Sequence, residues 1–125
     1  MKSKYHFKFE ELTMYQKALD FADDINEQIN KFPKYEVYRL ASQFIRAADS
    51  IANNIAEGSA GSTASFNRYL QIAWDSANEC VVCSTKSKRR GYIPLETDEQ
   101  NRADITELCK MITSYKNYLK KKKRN

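Results

Sequence analysis

Glycine and proline are scarce in this chain, and this scarcity limits the folds that it can adopt. There are three Gly and two Pro among 125 residues, whereas a β-sandwich or barrel needs turn residues about every dozen positions. Apolar residues instead recur every three or four positions along four successive stretches, which is the spacing of one buried helix face. The length fits one domain, residues 1–125. We therefore predict an all-α protein, an antiparallel up-down-up-down four-helix bundle.

The four stretches predict helices over residues 10–31, 36–57, 63–90 and 98–123. Phe32-Pro33 should end the first helix, because the residue before a proline is driven out of the helical region. Gly58 and Gly91 follow the second and third helices, where glycine readily adopts the left-handed conformation of a C-terminal cap. The predicted buried faces of the first two helices are Leu12, Tyr15, Leu19, Ala22, Ile25 and Ile29, then Val37, Leu40, Phe44, Ala48, Ile51 and Ile55.

Two further signals mark where helices begin. Ser62 or Thr63 is the predicted N-cap of the third helix, because a hydroxyl oxygen can accept from a free N–H of the first turn. Thr97 and Gln100 have the spacing of a capping box and predict the start of the fourth helix. The remaining buried faces are predicted as Phe66, Leu70, Ala73, Ala77 and Val81, then Ile105, Leu108, Ile112, Tyr115 and Leu119.

Charge density separates the helices into two kinds. Residues 40–57 and 64–85 contain three charged residues each, whereas residues 10–31 contain eight and residues 98–124 contain twelve. A helix of an isolated bundle exposes a polar, usually charged face, so we expect the two middle helices to contact another copy in a homo-oligomer. The predicted contact residues are Gln43, Arg46, Ser50, Asn54 and Glu57 on the second helix and Gln71, Trp74 and Asn78 on the third. The alternative is a monomer with a weakly charged face.

Basic residues cluster at the ends of the last two helices. One cluster is Lys86, Lys88, Arg89 and Arg90, and the other is Lys116 with Lys120, Lys121, Lys122, Lys123 and Arg124. Antiparallel topology places the clusters at opposite ends of the bundle, and Lys2, Lys4 and Lys8 should join the second. In an oligomer they would form two positive rims able to contact phosphates. The alternative is that these cations only stabilise the helix dipoles and keep the protein soluble.

No constellation typical of catalysis or metal binding accompanies these features. Cys80 and Cys83 are two residues apart, but a structural zinc site needs four ligands, and the thiols lie far from a helix N-terminus that would activate them. We predict a protein without enzymatic activity, cofactor or metal. No stretch approaches the length of a membrane span, and three cysteines with a polar N-terminus favour a cytoplasmic location.

Several short blocks resemble a known family. They are Phe9-Glu10-Glu11-Leu12, Tyr15-Gln16-Lys17-Ala18, Asn54-Ile55-Ala56-Glu57-Gly58, Arg68-Tyr69-Leu70 and Gly91-Tyr92-Ile93. Over residues 9–93 the chain resembles the four-helix bundle proteins encoded by intervening sequences in bacterial 23S ribosomal RNA genes. It departs from the family pattern at Ala52-Asn53, where a proline is usual, and at Trp74-Asp75, where small residues are frequent.

The resemblance implies an up-down-up-down bundle assembled into a ring-shaped homo-oligomer, a pentamer, with no established enzymatic activity. Similar accessory proteins of diversity-generating retroelements form basic barrels that bind nucleic acid and a reverse transcriptase. Two functional hypotheses follow. The first is a homo-oligomer that binds nucleic acid, with RNA as one candidate, through basic rims. The second is a structural scaffold or adaptor for a protein partner, docking through residues 92–95 and an acidic face of the first helix (Asp20, Asp23, Asp24 and Glu27).

Overall fold

The protein folds as an all-α four-helix bundle, as its apolar spacing predicts. The computed structural model describes residues 3–124, with side chains as far as Lys122, so Lys2 and the predicted contacts of Lys123 and Arg124 lie outside what it describes. The helices are α1 (Thr13–Ile29), α2 (Leu40–Ser59), α3 (Thr63–Arg89) and α4 (Leu95–Arg124), with short 3-10 helices at Lys8–Glu11 and Lys34–Glu36. No strand occurs in this described part, and within it no helix is long and apolar enough to cross a bilayer.

Contacts between helices establish the antiparallel arrangement, because residue numbers fall on one helix as they rise on its neighbour. The pairs are Gln43 with Glu79 and Ser50 with Ser76, Asn67 with Lys116 and Thr85 with Arg102, and Lys17 with Glu107 and Gln28 with Asn101. Sequential helices pack closely, whereas α1 and α4 touch over fewer residues and leave a groove between them.

All four helices contribute to one hydrophobic core, which includes the fully buried Phe21, Phe44, Ile51, Leu70 and Ile112. The predicted faces of α2, α3 and α4 are buried or half-buried along most of their length. Two residues of the predicted faces are exposed instead: Leu19 and Val37. Leu19 is displaced because Ala18 and Phe21 take the core-facing positions of α1, and Val37 precedes the start of α2.

Three helix starts differ from their predicted positions. Glu10 and Glu11 belong to a 3-10 turn, and α1 begins at Thr13. The helix α2 begins at Leu40 rather than residue 36, because the chain first makes the 3-10 turn Lys34–Glu36 after its proline. The helix α4 begins at Leu95, where Pro94 directly before it accepts the N–H of Asp98 at 3.2 Å. The capping box predicted at Thr97 is therefore wrong, since Thr97 already lies inside the helix.

The two predicted glycine caps have different outcomes. Gly91 has φ of 79° and ends α3. Its N–H donates to the Lys88 carbonyl at 3.0 Å and the Tyr92 N–H donates to Ser87 at 2.9 Å, which is a Schellman motif. Gly58 lies inside α2 and does not have a positive φ, so its predicted capping role is wrong. Ser62 is confirmed as the N-cap of α3, because its Oγ accepts from the Ser65 N–H at 3.1 Å.

Candidate nucleic-acid interface

The first basic cluster lies at the end of α3, on the same end of the bundle as the start of α2. Lys88 and Arg89 are exposed and Lys86 is half-buried. Arg90 has a different role, because its Nη1 donates to Glu36 Oε2 at 3.1 Å. Within the described residues, no carboxylate pairs with Lys88 or Arg89 at ion-pair distance. The positive charges of Lys88 and Arg89 are therefore exposed to solvent, whereas Arg90 links the end of α3 to Glu36.

The partner of Arg90 is a buried carboxylate. Glu36 is 2% exposed and also accepts from the Tyr92 hydroxyl at 2.7 Å, and Tyr92 is in turn 3.0 Å from the Tyr35 hydroxyl. The hydrogen bond from Tyr92, followed by the Leu40 N–H and the Arg90 charge, holds the pKa of Glu36 below its ordinary value. Hydrogen bonding with Tyr35 and Glu36 raises the pKa of Tyr92. This set fastens the end of α3 to the start of α2.

The second basic cluster lies at the opposite end. Lys120, Lys121 and Lys122 are exposed on the last turns of α4. Lys8 and Lys122 line one cavity of about 270 Å³, so the N-terminal segment joins this end, as predicted for Lys8. Lys116 is half-buried and its Nζ donates to Gln71 Oε1 on α3. The two predicted basic clusters are thus separated by the length of the bundle.

The predicted contact residues fall along two different seams of the bundle. On α2, Ser50 accepts from Ser76 of α3 at 2.9 Å, and Asn54 donates to the Ser50 hydroxyl at 2.9 Å and to its carbonyl at 2.7 Å. Gln43 donates to Glu79 at 3.5 Å. These polar groups are therefore satisfied within one chain, along the seam between α2 and α3.

Arg46 and Glu57, the charged members of this set, are exposed. Arg46 donates to the Ser42 hydroxyl on its own helix, at 2.9 Å from Nη2. The set on α3 faces the other seam, since Trp74 and Asn78 line a cavity against α4 and Gln71 contacts Lys116. The structure does not bring the two sets into one surface. The α2 set faces one side of α3, whereas the α3 set lies on the side of α3 that faces α4.

A buried polar network at the Lys88 end was missed by the sequence reasoning. Ser84 donates to Asp98 Oδ1 at 2.6 Å, and Arg102 Nε donates to Asp98 Oδ2 at 3.0 Å. Asn101 donates to Ser84 at 3.0 Å and exchanges two hydrogen bonds with Gln28 of α1, at 2.8 and 2.9 Å. Burial opposes the charge of Asp98, but the bonds from Ser84 and Arg102 hold its pKa below its ordinary value.

A sequence signal for this network exists. The predicted buried face of α4 steps back from Leu119 to Ile105 by alternating three and four residues, and the same steps continue to Asn101 and Asp98. The face of α3 likewise continues to Ser84 and Ser87, both fully buried. The core-facing positions thus become polar at one end of the bundle, where polar partners must satisfy one another.

Cys80 and Cys83 are buried in α3, and burial disfavours the thiolate form of their side chains. All three are free, and burial raises the pKa of Cys83 to about 11 and raises that of Cys80 further. Thiols of such high pKa stay protonated near neutral pH, whereas nucleophilic attack and metal binding need the thiolate. The pair is part of the hydrophobic core of α3.

We expect acid to destabilise the protein as Glu36 and Asp98 become protonated. Their folded-state pKa values lie below the ordinary values of 4.5 and 3.8, so their stabilisation is complete above those values and is lost as pH falls through the folded-state ones. Asp24 and Asp49 act in the opposite sense, because burial raises their pKa. The urea concentration at the midpoint of unfolding should therefore decrease as the pH is lowered below about 4.5. It should decrease less steeply in Glu36→Gln than in wild type.

Glu99, which follows Asp98 in the chain and is exposed, provides the control for this experiment. Glu99→Gln should reproduce the wild-type dependence of the urea midpoint on pH. If Glu36→Gln and wild type lose stability in parallel on acidification, the buried pairing of Glu36 does not govern the response.

Taken together, the described residues form a four-helix bundle with basic ends, fastened internally by buried polar groups. The chain belongs to the 23S rRNA-intervening sequence protein family, which it matches over residues 10–114. This confirms the resemblance seen in the short sequence blocks.

A solved structure with a similar fold is that of a protein of unknown function from the S23 ribosomal protein family of Bacteroides thetaiotaomicron VPI-5482. It shares 30% sequence identity with this chain at a TM-score of 0.76, and the alignment covers 82% of this chain and 97% of that one. No functionally curated protein matches the sequence.

Proposed function

We propose that this protein is a non-enzymatic homo-oligomer, specifically a pentamer, that binds nucleic acid through two basic rims. The observation that carries the proposal is the placement of exposed cations at both ends of the bundle, none of which forms an ion pair with a described carboxylate. Lys88 and Arg89 lie at one end, and Lys120 to Lys122 with Lys8 lie at the other. A cytoplasmic location is part of this proposal and accords with three free cysteines.

Two buried carboxylates at the first rim are paired inside the bundle. Glu36 pairs with Arg90, and Asp98 pairs with Arg102. Lys88 and Arg89 are exposed to solvent. Contacts of several such cations with phosphates release counterions and give affinity that does not depend on sequence.

Self-association would multiply these charges around a common axis. Exposed apolar side chains on α3, Ile72 and Val82, and the exposed Arg46 and Glu57 of α2 offer surface for a second copy. In such an arrangement each rim would carry the cations of every subunit. RNA and DNA would then compete for the same phosphate-binding surface. Light scattering of the purified protein measures the subunit number directly.

Fluorescence anisotropy with labelled RNA and duplex DNA tests the binding. We expect binding at low salt that weakens steeply as salt rises, with the slope of log K against log salt reporting the phosphates contacted. Neutralising Lys120, Lys121 and Lys122 to glutamine should weaken binding and reduce that slope by about one per lost phosphate contact. Lys88→Gln with Arg89→Gln should have the same effect at the other rim.

The control removes a positive charge from the side of the bundle instead. Lys17→Gln changes the net charge as much as Lys88→Gln alone, yet touches neither rim, because Lys17 pairs with Glu107. It should leave the salt slope unchanged. Absence of binding at low salt, or equal losses in the rim and control variants, would contradict the proposal.

The second candidate is a scaffold or adaptor for a protein partner, such as a reverse transcriptase. Exposed Tyr35, Tyr38 and Leu95 at the Lys88 end favour it. Of the predicted connector, however, Ile93 is buried and Tyr92 is held by Glu36, so only part of residues 92–95 could dock a partner. A partner that co-purifies after nuclease treatment would favour this candidate over the first.

A further inference from the structure

A trough runs along the seam between α3 and α4, on the side of the bundle, and reaches the second rim at Lys120. It consists of two adjoining cavities of about 610 and 200 Å³, which share Trp74, Thr113 and Asn117 in their walls. Its floor is apolar, formed by Val81 and Ile105, and the indole of Trp74 is 36% exposed. An aromatic face of this size is therefore accessible beside a row of hydroxyl and amide groups.

The charge of the trough has one sign. Lys110, Lys116 and Lys120 line it, and no carboxylate of the described residues does. Asp75, which follows Trp74 in the chain, accepts a hydrogen bond from Gln71 at 3.1 Å and is not among the residues that line the trough. The lysines span about 15 Å of α4, at the helical rise of 1.5 Å per residue.

The opposite side of α4 provides a contrast within the same molecule. The groove between α1 and α4 is lined by four carboxylates, Asp20, Asp24, Asp104 and Glu107, with Lys17 as its cation. Only the trough on the α3 side therefore complements a polyanion. A row of cations beside an exposed aromatic ring is the combination that holds a single strand, whose phosphates follow the cations while a base stacks on the ring.

We propose that this trough binds single-stranded nucleic acid, with a base stacked on Trp74 and the backbone phosphates on Lys110, Lys116 and Lys120. A duplex keeps its bases stacked within the helix, so a single strand is the form that can present one. Asn78 and Asn117 stand beside the indole and can hydrogen-bond the edge of a base. The inference rests on the proposed function for its ligand class, but it places the strand on the side of the bundle.

The fluorescence of Trp74 tests this directly, because it is the only tryptophan in the chain. Titration of the full-length protein with a short oligouridylate should quench its emission, while the matched duplex should bind with little quenching. Trp74→Ala should weaken binding of the single strand roughly 5- to 150-fold, and Trp74→Phe should weaken it less because the aromatic face remains. Leu19→Ala, at an exposed apolar residue of α1 outside the trough, should leave it unchanged.

The outcomes separate the two proposals. Oligouridylate that binds by anisotropy without quenching Trp74, and binds Trp74→Ala as tightly as wild type, overturns the trough and leaves the rims standing. No binding of any nucleic acid at low salt overturns both. If Trp74 emission shifts with protein concentration alone and Trp74→Ala changes the oligomer mass, a second copy covers the trough and the proposal is overturned. Quenching of the wild type needs no variant, so an unfolded Trp74→Ala does not prevent the test.

Discussion

Replacing Asp98 by alanine is expected to lower the free energy of unfolding by about 3 kcal/mol. The carboxylate is 2% exposed and accepts from Ser84 at 2.6 Å and from Arg102 at 3.0 Å. Its removal leaves the fully buried Ser84 hydroxyl without its acceptor and leaves the Arg102 guanidinium without its countercharge. An unsatisfied buried group costs its full desolvation penalty, which exceeds the net value of the bond that is lost.

Urea unfolding followed by circular dichroism measures this loss, with Glu99→Ala as the matched control. Glu99 is the exposed neighbour of Asp98 on the same turn, and its substitution should change stability by less than about 0.5 kcal/mol. A double-mutant cycle with Ser84→Ala should show coupling, because the second substitution removes a partner that is already lost. Equal effects of Asp98→Ala and Glu99→Ala would show that the network contributes nothing to stability.

The four helices could be predicted from the sequence because burial of a helix face leaves a periodic signal. The spacing of Leu40, Phe44, Ile51 and Ile55 predicts one side of α2, and the structure buries all four. Few competing signals exist in a chain with three glycines and two prolines. The antiparallel order follows from the short links between helices, and with it the separation of the two basic clusters.

Helix ends depended on tertiary contacts that a local pattern does not contain. The helix α2 begins only at Leu40 because Glu36 is drawn into the bundle by Arg90 and Tyr92, which follow it by more than fifty residues. The start of α4 was mislocated because Thr97 resembles a cap, although Pro94 already ends the preceding turn. A residue that matches a capping pattern can therefore lie inside a helix when packing favours an earlier helix start.

The candidate site was only partly predictable for the same reason. The sequence places Lys88, Arg89 and Arg90 together, but it cannot show that Arg90 is held by Glu36 while the other two face solvent. Trp74 could be recognised as an unusual residue on a weakly charged helix. Its position beside Lys110 and Lys116 depends on how α3 packs against α4, which no spacing within either helix encodes.

Gly58 is the clearest case of a residue whose role in the structure differs from the role predicted from the sequence. A Cβ placed there would lie 2.6 Å from the Tyr69 Cβ and 3.0 Å from Phe66 Cδ1, both on α3. The glycine is therefore required by the close approach of α2 to α3 and not by a left-handed backbone. This approach sets the separation of the two helices along the seam that includes Ser50 and Ser76.

We expect Gly58→Ala to cost about 2 kcal/mol of unfolding free energy, although alanine is the better helix former by up to about 1 kcal/mol. The overpacking cost dominates because the Tyr69 Cβ is fixed to the backbone and cannot rotate away. Gly58→Val, with two further methyl groups, should cost more. Gly61→Ala is the control, since its Cβ would lie 3.1 Å from Ser65 Oγ and 3.3 Å from Ser65 Cβ, contacts that a shift of a few tenths of an ångström relieves, and it should change stability by less than about 0.5 kcal/mol.

Thermal and urea unfolding of the three variants distinguish these expectations. Because α2 and α3 carry the surface proposed for self-association, a forced separation of the two helices should also reduce the assembled mass of Gly58→Ala in light scattering, while Gly61→Ala keeps the wild-type mass. If Gly58→Ala is as stable as wild type or more stable, its helix propensity outweighs the contact with Tyr69. The two helices would then be free to move apart without loss, and the seam between them would not hold a defined surface for a second copy.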